Sequence, residues 1–418
     1  MKIFTPANIL LPDVDSMEKW AVIACDQFSS QPEYWKEVRE YVGDAPSTLN
    51  MILPEAELGV KDEKAKIQKI NQNMEDYIEQ GVFKEYPDSF VYIERTLQNG
   101  SVRKGLIGMV DLEAYSYEAG SDSAIRATEK TVLERIPPRM RIREGAVLEF
   151  PHVQILCDDV EKTLIEPIGK MKSELTKLYE FDLMKDGGHI VGWLVQGDVK
   201  DGFELRLHAY ERSLEDKYID VEGVPMTFAM GDGNHSLATA KACYEELKKN
   251  NPKKNYSNHP ARYALVELEN IHSSALEFEP IHRILTGIDP ENVLECLEAG
   301  CGASPEQENI HKIEWYSGEK SGTVYLDARK SSLAVGVLQP FLDDYLKEHG
   351  GEIDYIHGDV VLKELAKKEQ SIGFILPAME KSQLFRGVME NGVLPRKTFS
   401  MGHAHDKRYY LEGRRLDK

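Results

Sequence analysis

Two long segments joined by an Asn-Gly pair set the strongest constraint on what this chain can fold into. Residues 89–97 (SFVYIERTL) and 101–112 (SVRKGLIGMVDL) are apolar and β-branched, and Asn99 and Gly100 lie between them. Asn-Gly favours the type I′ turn that joins two antiparallel strands, so the sequence predicts a β-hairpin here. Because a regular doubly wound sheet consists of parallel strands connected by helices, this hairpin argues against that architecture.

The remaining predicted elements alternate irregularly along the chain. Buried strands are predicted at 20–25, 152–157, 189–196, 203–210, 224–229 and 261–272, with further strands near 322–338. Helices are predicted after Pro32 and over 62–80, 161–180, 235–247, 290–299, 339–348 and 359–368. The sequence therefore predicts an α+β fold with mixed sheets, hairpins and packed helices.

The length of 418 residues indicates two to three domains. A polar stretch rich in helix breakers, ELKKNNPKKN, ends near residue 255 and is typical of a loop between domains. We expect a main α+β domain over 1–255, which carries the Gly-rich motif described below. A C-terminal α+β portion with a basic tail is expected over 256–418.

Net charge and cysteine content indicate which partners and which cellular compartment to expect. A net charge of −20 argues against a nucleic-acid partner, since such proteins concentrate Lys and Arg on one face. Five cysteines, an odd number with no CxxC pair, favour a reducing cytoplasm over a disulfide framework. No segment approaches the roughly 20 apolar residues of a membrane span. We expect a cytoplasmic protein with no membrane partner, and the oligomeric state is left open.

Residues 230–242 (MGDGNHSLATAKA) form the most informative motif, a Gly-rich turn between a predicted strand and a predicted helix. Gly231 and Gly233 allow positive φ and close approach of a ligand. The unpaired N–H groups of a helix start favour an anion. Four polar side chains crowd this helix start: Asp232, Asn234, His235 and Ser236.

A ligand-free turn is the alternative for this motif, with Asn234 or Ser236 as the helix cap. Neither a P-loop nor a Rossmann fingerprint is present. A cap requires only one or two polar side chains, however, and the surplus favours a binding site.

Two basic segments depart from the acidic average. Residues 126–143 hold six basic residues against two acidic ones, and residues 381–418 hold nine against four. Either segment could be a solvated surface, but the planar guanidinium of Arg suits phosphate and carboxylate. We therefore expect at least one of three arginines to line the same cleft as the motif: Arg126, Arg139 and Arg141.

Two further groups are candidates for chemistry. His403 and His405, with Asp406, have a spacing that can bind a metal, although a structural or phosphate-facing role is favoured. Asp26 follows a predicted buried strand in a loop of small polar residues, which is where sites usually form.

Several segments along nearly the whole chain resemble a bacterial and archaeal family catalogued as domain of unknown function 1015. They are WAVIACDQFSSQPEYW, GDAPSTLN, ATEKTVLERIPPR, GDGNHSLATAKA and LPRKTFSMGHAHDKR. GDGNHSLATA also resembles the [DE]GxHRxxA-type element of the ParB and sulfiredoxin superfamily, whose Gly-rich turn binds nucleotide phosphates. A ParB-like group in that superfamily transfers phosphate from ADP or ATP to free L-serine. The resemblance implies a nucleotide on Gly231, Asp232, Gly233, Asn234, His235 and Ser236.

The resulting hypothesis is a phosphotransferase that uses ADP or ATP with Mg²⁺ and acts on a small hydroxyl metabolite, with free L-serine as the leading acceptor. Asp26 is expected to orient the hydroxyl, Asp232 to reach Mg²⁺, and His235 to take part in catalysis. Cofactor binding extends to Arg126, Arg139 and Arg141. The alternative is a ParB-like switch that binds or hydrolyses nucleotide without kinase activity, and a noncatalytic interaction protein is a third hypothesis.

Overall fold

The computed structural model describes residues 2–29, 31–59 and 62–417. Its helices are α1 (Met17–Trp20), α2 (Pro32–Val42), α3 (Glu63–Glu79), α4 (Ile136–Arg143), α5 (Glu166–Lys170), α6 (Gly197–Lys217), α7 (Asn234–Asn250), α8 (Pro290–Cys301), α9 (Ala334–His349), α10 (Asp359–Leu365) and α11 (Ser382–Asn391).

Its strands are β1 (Phe4–Thr5), β2 (Ala7–Pro12), β3 (Val22–Ile23), β4 (Phe83–Thr96), β5 (Val102–Asp111), β6 (Tyr115–Ser116), β7 (Ile125–Arg126), β8 (Leu148–Glu149), β9 (Gln154–Cys157), β10 (Lys177–Asp182), β11 (His189–Val195), β12 (Phe228–Asp232), β13 (Tyr263–Asn270), β14 (Phe278–Thr286), β15 (Ile310–Ser317), β16 (Lys320–Asp327), β17 (Glu352–His357), β18 (Ser371–Ile375), β19 (Phe399–Met401), β20 (Tyr409–Tyr410) and β21 (Arg414–Arg415). The mixture confirms the predicted α+β class.

The chain divides into two compact units. The first consists of Met1–Ala127, Thr131–Leu276 and His403–Lys418, and the second of Thr128–Lys130 and Glu277–Gly402. This division differs from the expected boundary at residue 255. The reason is β13, which lies beyond 255 but pairs with β5 and β9 of the first unit.

The first unit contains a large mixed sheet with the order β10-β11-β4-β5-β13-β9-β12-β7-β6. Strand β9 joins its two neighbours differently, since it runs parallel to β13 and antiparallel to β12. Helices α2 and α3 contribute Trp35 and Met74 to a hydrophobic core that also includes Val91 and Ile107 of the sheet. The short strands β20 and β21 pair with β3 and β8, which fixes the C-terminal tail within this unit.

The second unit contains a separate antiparallel sheet with the order β16-β15-β18-β14-β17, and β19 also pairs with β14. Leu362 of helix α10 and Ala366, which directly follows the helix, pack against Ile284 and Ile356. Among the residues that the structure describes, no helix in either unit combines the length and apolar character needed to cross a bilayer.

The predicted hairpin is confirmed as β4 and β5, which pair from Val91 with Ile107 to Thr96 with Val102. The turn differs from the expected type I′. Gly100 has a φ of 82°, whereas the Asn99 backbone is not in the positive-φ region, and the Asn99 side chain accepts the Ser101 N–H at 2.9 Å. The loop therefore takes five residues rather than two, because the strands end at Thr96 and resume at Val102.

Two predictions of element type are wrong. Residues 203–210, predicted as a strand, lie within the long helix α6, which buries Phe203, Leu207 and Tyr210. The predicted helix over 161–180 is broken, because α5 ends at Lys170 and β10 begins at Lys177. By contrast, the predicted helix over 62–80 is confirmed as α3, with Ile70 and Met74 on its buried face.

Candidate functional site

The Gly-rich motif folds as predicted into a strand, a turn and a helix. Buried Phe228, Ala229 and Met230 place β12 in the sheet core, and the chain then turns at Gly233. Gly233 has a φ of 76°, and a Cβ atom at this position would lie 3.0 Å from the Val153 Cα. A side chain is therefore excluded by both backbone conformation and space.

The start of α7 has no side-chain cap, so neither Asn234 nor Ser236 acts as the cap that the ligand-free alternative assumed. Gly233 occupies the N-cap position, and its carbonyl accepts the N–H groups of Ser236 at 3.0 Å and Leu237 at 3.1 Å. The Asn234 Oδ1 atom is buried and has no hydrogen-bond partner among the described residues. The first turn of α7 thus keeps backbone donors that its own side chains do not satisfy.

Asp232 organises the turn. Its Oδ1 accepts the Gly233 N–H at 2.8 Å, and its Oδ2 forms an ion pair with the Lys407 Nζ at 3.1 Å. Burial favours the protonated acid, but the positive charge of Lys407 and the hydrogen bond from the Gly233 N–H outweigh it and hold the pKa of Asp232 below its ordinary value. Asp232 is therefore a carboxylate at neutral pH, and it brings a lysine from the C-terminal tail to the start of α7.

His235 is held in the neutral state. Burial, with the positive charges of Arg139 and Arg135, lowers its pKa to about 4, although the charge of Asp26 opposes the change. Its Nε2 accepts the Val132 N–H at 3.4 Å. The imidazole therefore faces an arginine-rich environment without adding a positive charge of its own.

Ser236 begins a partly buried chain of hydrogen bonds that the sequence did not predict. Its Oγ lies 2.9 Å from the His152 Nε2, and the His152 Nδ1 lies 2.9 Å from the Tyr410 hydroxyl. That hydroxyl accepts the Cys25 N–H at 3.1 Å. His152 and Tyr410 are buried, and burial raises the pKa of the Cys25 thiol to about 12, so the thiol stays protonated.

The three predicted arginines occupy different surroundings. Arg139 donates to the Arg135 carbonyl at 2.7 Å and forms an ion pair with Glu55. Arg126 lies in β7, where its guanidinium donates to the carbonyls of Ser123 and Val224.

Arg141 lies on a different surface, where its exposed side chain pairs with Glu63 at 3.0 Å. Of the three arginines, Arg139 lines the cavity beside α7. The structure thus brings Arg139 to the motif, while Arg126 is engaged with backbone carbonyls and Arg141 with a surface carboxylate.

A cavity of about 180 Å³ opens beside the first two turns of α7. Its polar lining includes Ser236, His152, Arg139 and Glu55, and Cys25 also contributes. The rest of its wall is mostly apolar: Met51, Leu53, Met74, Ile142, Leu148 and Leu265. It therefore offers charged and hydrogen-bonding groups at the helix start and an apolar interior.

Asp26 directly follows Cys25 and is half-buried. Its Oδ1 accepts the Gln27 side-chain amide at 3.1 Å, and its charge acts on His235. The structure thus places it close to the motif, as a carboxylate next to the cavity wall.

The His403 to Asp406 segment forms a turn in which the Asp406 carboxylate accepts the His403 N–H at 2.9 Å. Arg95 donates to the carbonyls of His405, Asp406 and Lys407, which fixes the tail beside the sheet. The described residues contain no group of three or more His, Cys, Asp or Glu side chains arranged to hold a metal ion. The Arg95 contacts hold the tail where Lys407 reaches Asp232 of the motif.

Together these groups surround one helix start with unsatisfied backbone donors, two cations, three carboxylates and a neutral histidine. Backbone N–H groups and cations favour a negatively charged ligand, and a preorganised set of such donors can stabilise developing charge on a transferred group.

A family model described as protein of unknown function (DUF1015) matches residues 8–345. A comparison with curated proteins found no match. Among solved structures, a mutant free serine kinase in complex with ADP is 13% identical, with a TM-score of 0.39, and the match covers 77% of this chain and 95% of that one. SbnI with a C-terminal truncation, from Staphylococcus aureus, is 9% identical, with a TM-score of 0.36 and coverage of 71% and 82%. A conserved hypothetical protein from Pyrococcus furiosus is 12% identical, with a TM-score of 0.36 and coverage of 74% and 94%.

Proposed function

The chain belongs to the DUF1015 family of proteins of unknown function, and from the site that its own residues build we propose a nucleotide-dependent phosphotransferase. ADP or ATP is the donor, and a small hydroxyl metabolite is the acceptor. Free L-serine is the acceptor we propose, with O-phosphoserine as the product.

The uncapped start of α7 is the observation that carries this proposal. No side chain caps its first turn, Lys407 pairs with Asp232 just before Gly233, and Arg139 acts electrostatically on His235 just after it. A phosphate group at this position would receive backbone N–H donors, the positive end of the helix dipole and two side-chain cations. Phosphoryl transfer depends mainly on such positioning and charge neutralisation.

Magnesium enters the proposal together with the nucleotide. Proteins usually hold Mg²⁺ through phosphates and one or two carboxylates, so a single protein carboxylate is sufficient. Asp232 is the candidate. Its Oδ1 uses one lone pair for the Gly233 N–H and retains another, which fits such a role. When bound, the ion would neutralise charge on the phosphates.

The acceptor end of the proposal rests on Arg139 and Glu55. These side chains form an ion pair on the cavity wall, and both are largely shielded from solvent. A zwitterionic amino acid presents a carboxylate and an ammonium group, which match a guanidinium and a carboxylate respectively. Asp26 would then orient the serine hydroxyl and accept its proton.

The decisive experiment measures nucleotide binding and product formation on the same protein. A ligand at about 100 times its dissociation constant adds about 2.7 kcal/mol to stability, so ADP or ATP with Mg²⁺ should raise the melting temperature clearly. Serine should then yield phosphoserine. Asp26→Asn should lower the rate by about 10² to 10⁴ with little change in nucleotide affinity, because it removes only the proton acceptor.

Arg139→Ala and Arg141→Ala form a matched pair for the binding site. Both remove an arginine from α4, but Arg139 lines the cavity and Arg141 is exposed beside Glu63. We expect Arg139→Ala to weaken nucleotide or serine binding by about tenfold or more, the loss of one charge-assisted contact, and Arg141→Ala to have little effect. If the two substitutions have equal effects on binding, the cavity does not bind nucleotide or serine.

Two outcomes would overturn the phosphotransferase. If no nucleotide shifts the melting temperature, the start of α7 does not bind phosphate. If nucleotide binds but neither ADP nor ATP yields phosphoserine, the serine kinase is excluded, and a nucleotide-dependent switch becomes the hypothesis to test.

A further inference from the structure

Ser236, which is half-buried, and His152, which is buried, form a hydroxyl–imidazole pair that the direct transfer proposed above does not use. The Ser236 Oγ and His152 Nε2 are 2.9 Å apart, and both residues line the cavity. His152 is 7% exposed, so bulk water is largely excluded from its ring. A hydroxyl within hydrogen-bond reach of an imidazole is the arrangement that activates serine nucleophiles.

Tyr410 supplies the third group that such a pair requires. Its hydroxyl lies 2.9 Å from the His152 Nδ1 and also accepts the Cys25 N–H. For Nε2 to take a proton from Ser236, the ring proton must lie on Nδ1, where the Tyr410 oxygen can accept it. Tyr410 therefore acts as a positioning residue that holds the ring in place and accommodates the required tautomer.

We propose that Ser236 is itself phosphorylated by the bound nucleotide and serves as a covalent intermediate. This inference rests on the proposed function, since it requires a nucleoside di- or triphosphate at the start of α7. It goes further, because the phosphoryl group reaches the acceptor in two steps rather than one.

In the first step, the Ser236 Oγ attacks the terminal phosphorus of the nucleotide. An O–P bond forms, and the bond from that phosphorus to its bridging oxygen breaks. The electron pair leaves with the nucleotide, as AMP from ADP or as ADP from ATP. The Ser236 proton moves to the His152 Nε2. In the second step, the acceptor oxygen attacks the same phosphorus, Asp26 accepts its proton, and His152 returns a proton to the departing Ser236 oxygen.

The charges around the pair stabilise both groups that form in the first step, the His152 imidazolium and the phosphate on Ser236. The Asp232 carboxylate interacts electrostatically with His152, so it stabilises the imidazolium that forms when the ring takes the proton. Ser236 is the third residue of α7, and a phosphoserine near a helix N-terminus is stabilised by the helix dipole. Lys407, paired with Asp232, supplies a nearby cation.

The test uses ADP and ATP radiolabelled on the terminal phosphate, with the full chain and without acceptor. We expect acid-stable label on the protein, assigned to Ser236 by mass spectrometry of the peptides. Addition of unlabelled serine should discharge the label into phosphoserine. Acid-labile label on a histidine, or label on another serine or threonine that persists in Ser236→Ala, would overturn the proposal.

Three variants distinguish loss of Ser236 activation from loss of folding. His152→Gln retains side-chain hydrogen bonding but accepts protons poorly, so labelling should slow by about 10² to 10⁴. Ser236→Thr keeps a hydroxyl and should give phosphothreonine at this position. Ser213→Ala is the control, since the Ser213 hydroxyl also donates to a helical carbonyl, that of Tyr210 in α6, but does not line the cavity, and it should label normally.

Failure of this inference is distinguishable from failure of the proposed function. Phosphoserine production without labelling of Ser236, or with Ser236→Ala fully active, would retain the phosphotransferase and exclude the covalent intermediate. Label that is not discharged by serine while product accumulates would also exclude it. Absence of nucleotide binding by thermal shift would exclude both.

Discussion

Helices α7 and α8 begin in similar ways and differ in what their polar side chains do. Each follows a strand and a glycine with positive φ, Gly233 at 76° and Gly287 at 71°. At α8, Asp289 caps the helix by accepting the Glu291 N–H at 3.1 Å, and Pro290 occupies the first helical position. This start is satisfied by its own local sequence.

At α7, the polar side chains bind groups from distant parts of the chain instead. Asp232 pairs with Lys407, and Ser236 bonds to His152. The first turn remains uncapped as a result. The comparison teaches that a surplus of polar residues at a helix start is informative when a cap does not use them, because they are then available to organise a site.

The largest effect on stability is expected at Gly233, and Gly287 before α8 provides the comparison. Gly233→Ala places a Cβ atom 3.0 Å from the Val153 backbone at a positive φ, so it should lower the free energy of unfolding by about 2–3 kcal/mol. Gly287→Ala has the same conformational penalty, but the nearest atom is 3.8 Å away, and about 1 kcal/mol is expected. Urea titrations compare the two. Equal losses would show that the close approach at Val153 is not a constraint.

The contrast between the two helices also explains what the sequence could predict. Gly233 and Pro290 are local signals, and the elements around them were predicted correctly in type. Residues 203–210 were misread because FELRLHAY alternates like a strand, whereas the buried side chains recur at helical spacing through Phe203, Leu207 and Tyr210. Leu205, which a strand would have buried, is 71% exposed.

The predicted part of the site is the contiguous Gly-rich motif together with Arg139 and Asp26, which the sequence singled out by charge and by position after a strand. His152, Lys407 and Tyr410 were missed because they reach α7 through pairing between distant segments. His152 precedes β9, which pairs with β12, and Tyr410 lies in β20, which pairs with β3. The buried strand after His152 was a usable signal for its location, but the partner strand was not visible in the sequence.

A second prediction concerns the pH dependence of stability at the start of α7. The pKa of His235 falls from 6.5 to about 4 on folding, so between these pH values the unfolded chain binds the proton more readily. Stability should therefore fall as pH decreases from about 6.5 to 4, with His235 contributing about 1–3 kcal/mol of the loss. His235→Gln should remove this contribution in urea titrations across the range. The exposed His208, substituted in the same way, controls for loss of an imidazole, and an unchanged pH profile in His235→Gln would refute the assignment.

The smallest expected effect tests the caps directly. Asp289→Ala removes the side chain that accepts the Glu291 N–H, so it should lower the free energy of unfolding by about 1 kcal/mol. Asn234→Ala should not destabilise the protein in the same way, because the Asn234 Oδ1 has no hydrogen-bond partner among the described residues and alanine is the better helix former. Urea titrations without ligand should therefore separate the two variants. Saturating ADP or ATP should increase the difference in unfolding free energy between the parent protein and Asn234→Ala, and it should leave the difference for Asp289→Ala unchanged. The reason is that a nucleotide that contacts Asn234 would stabilise the parent protein more than it stabilises Asn234→Ala. If Asn234→Ala is destabilised as much as Asp289→Ala without ligand, the two helix starts are built alike, and the polar residues of α7 are structural.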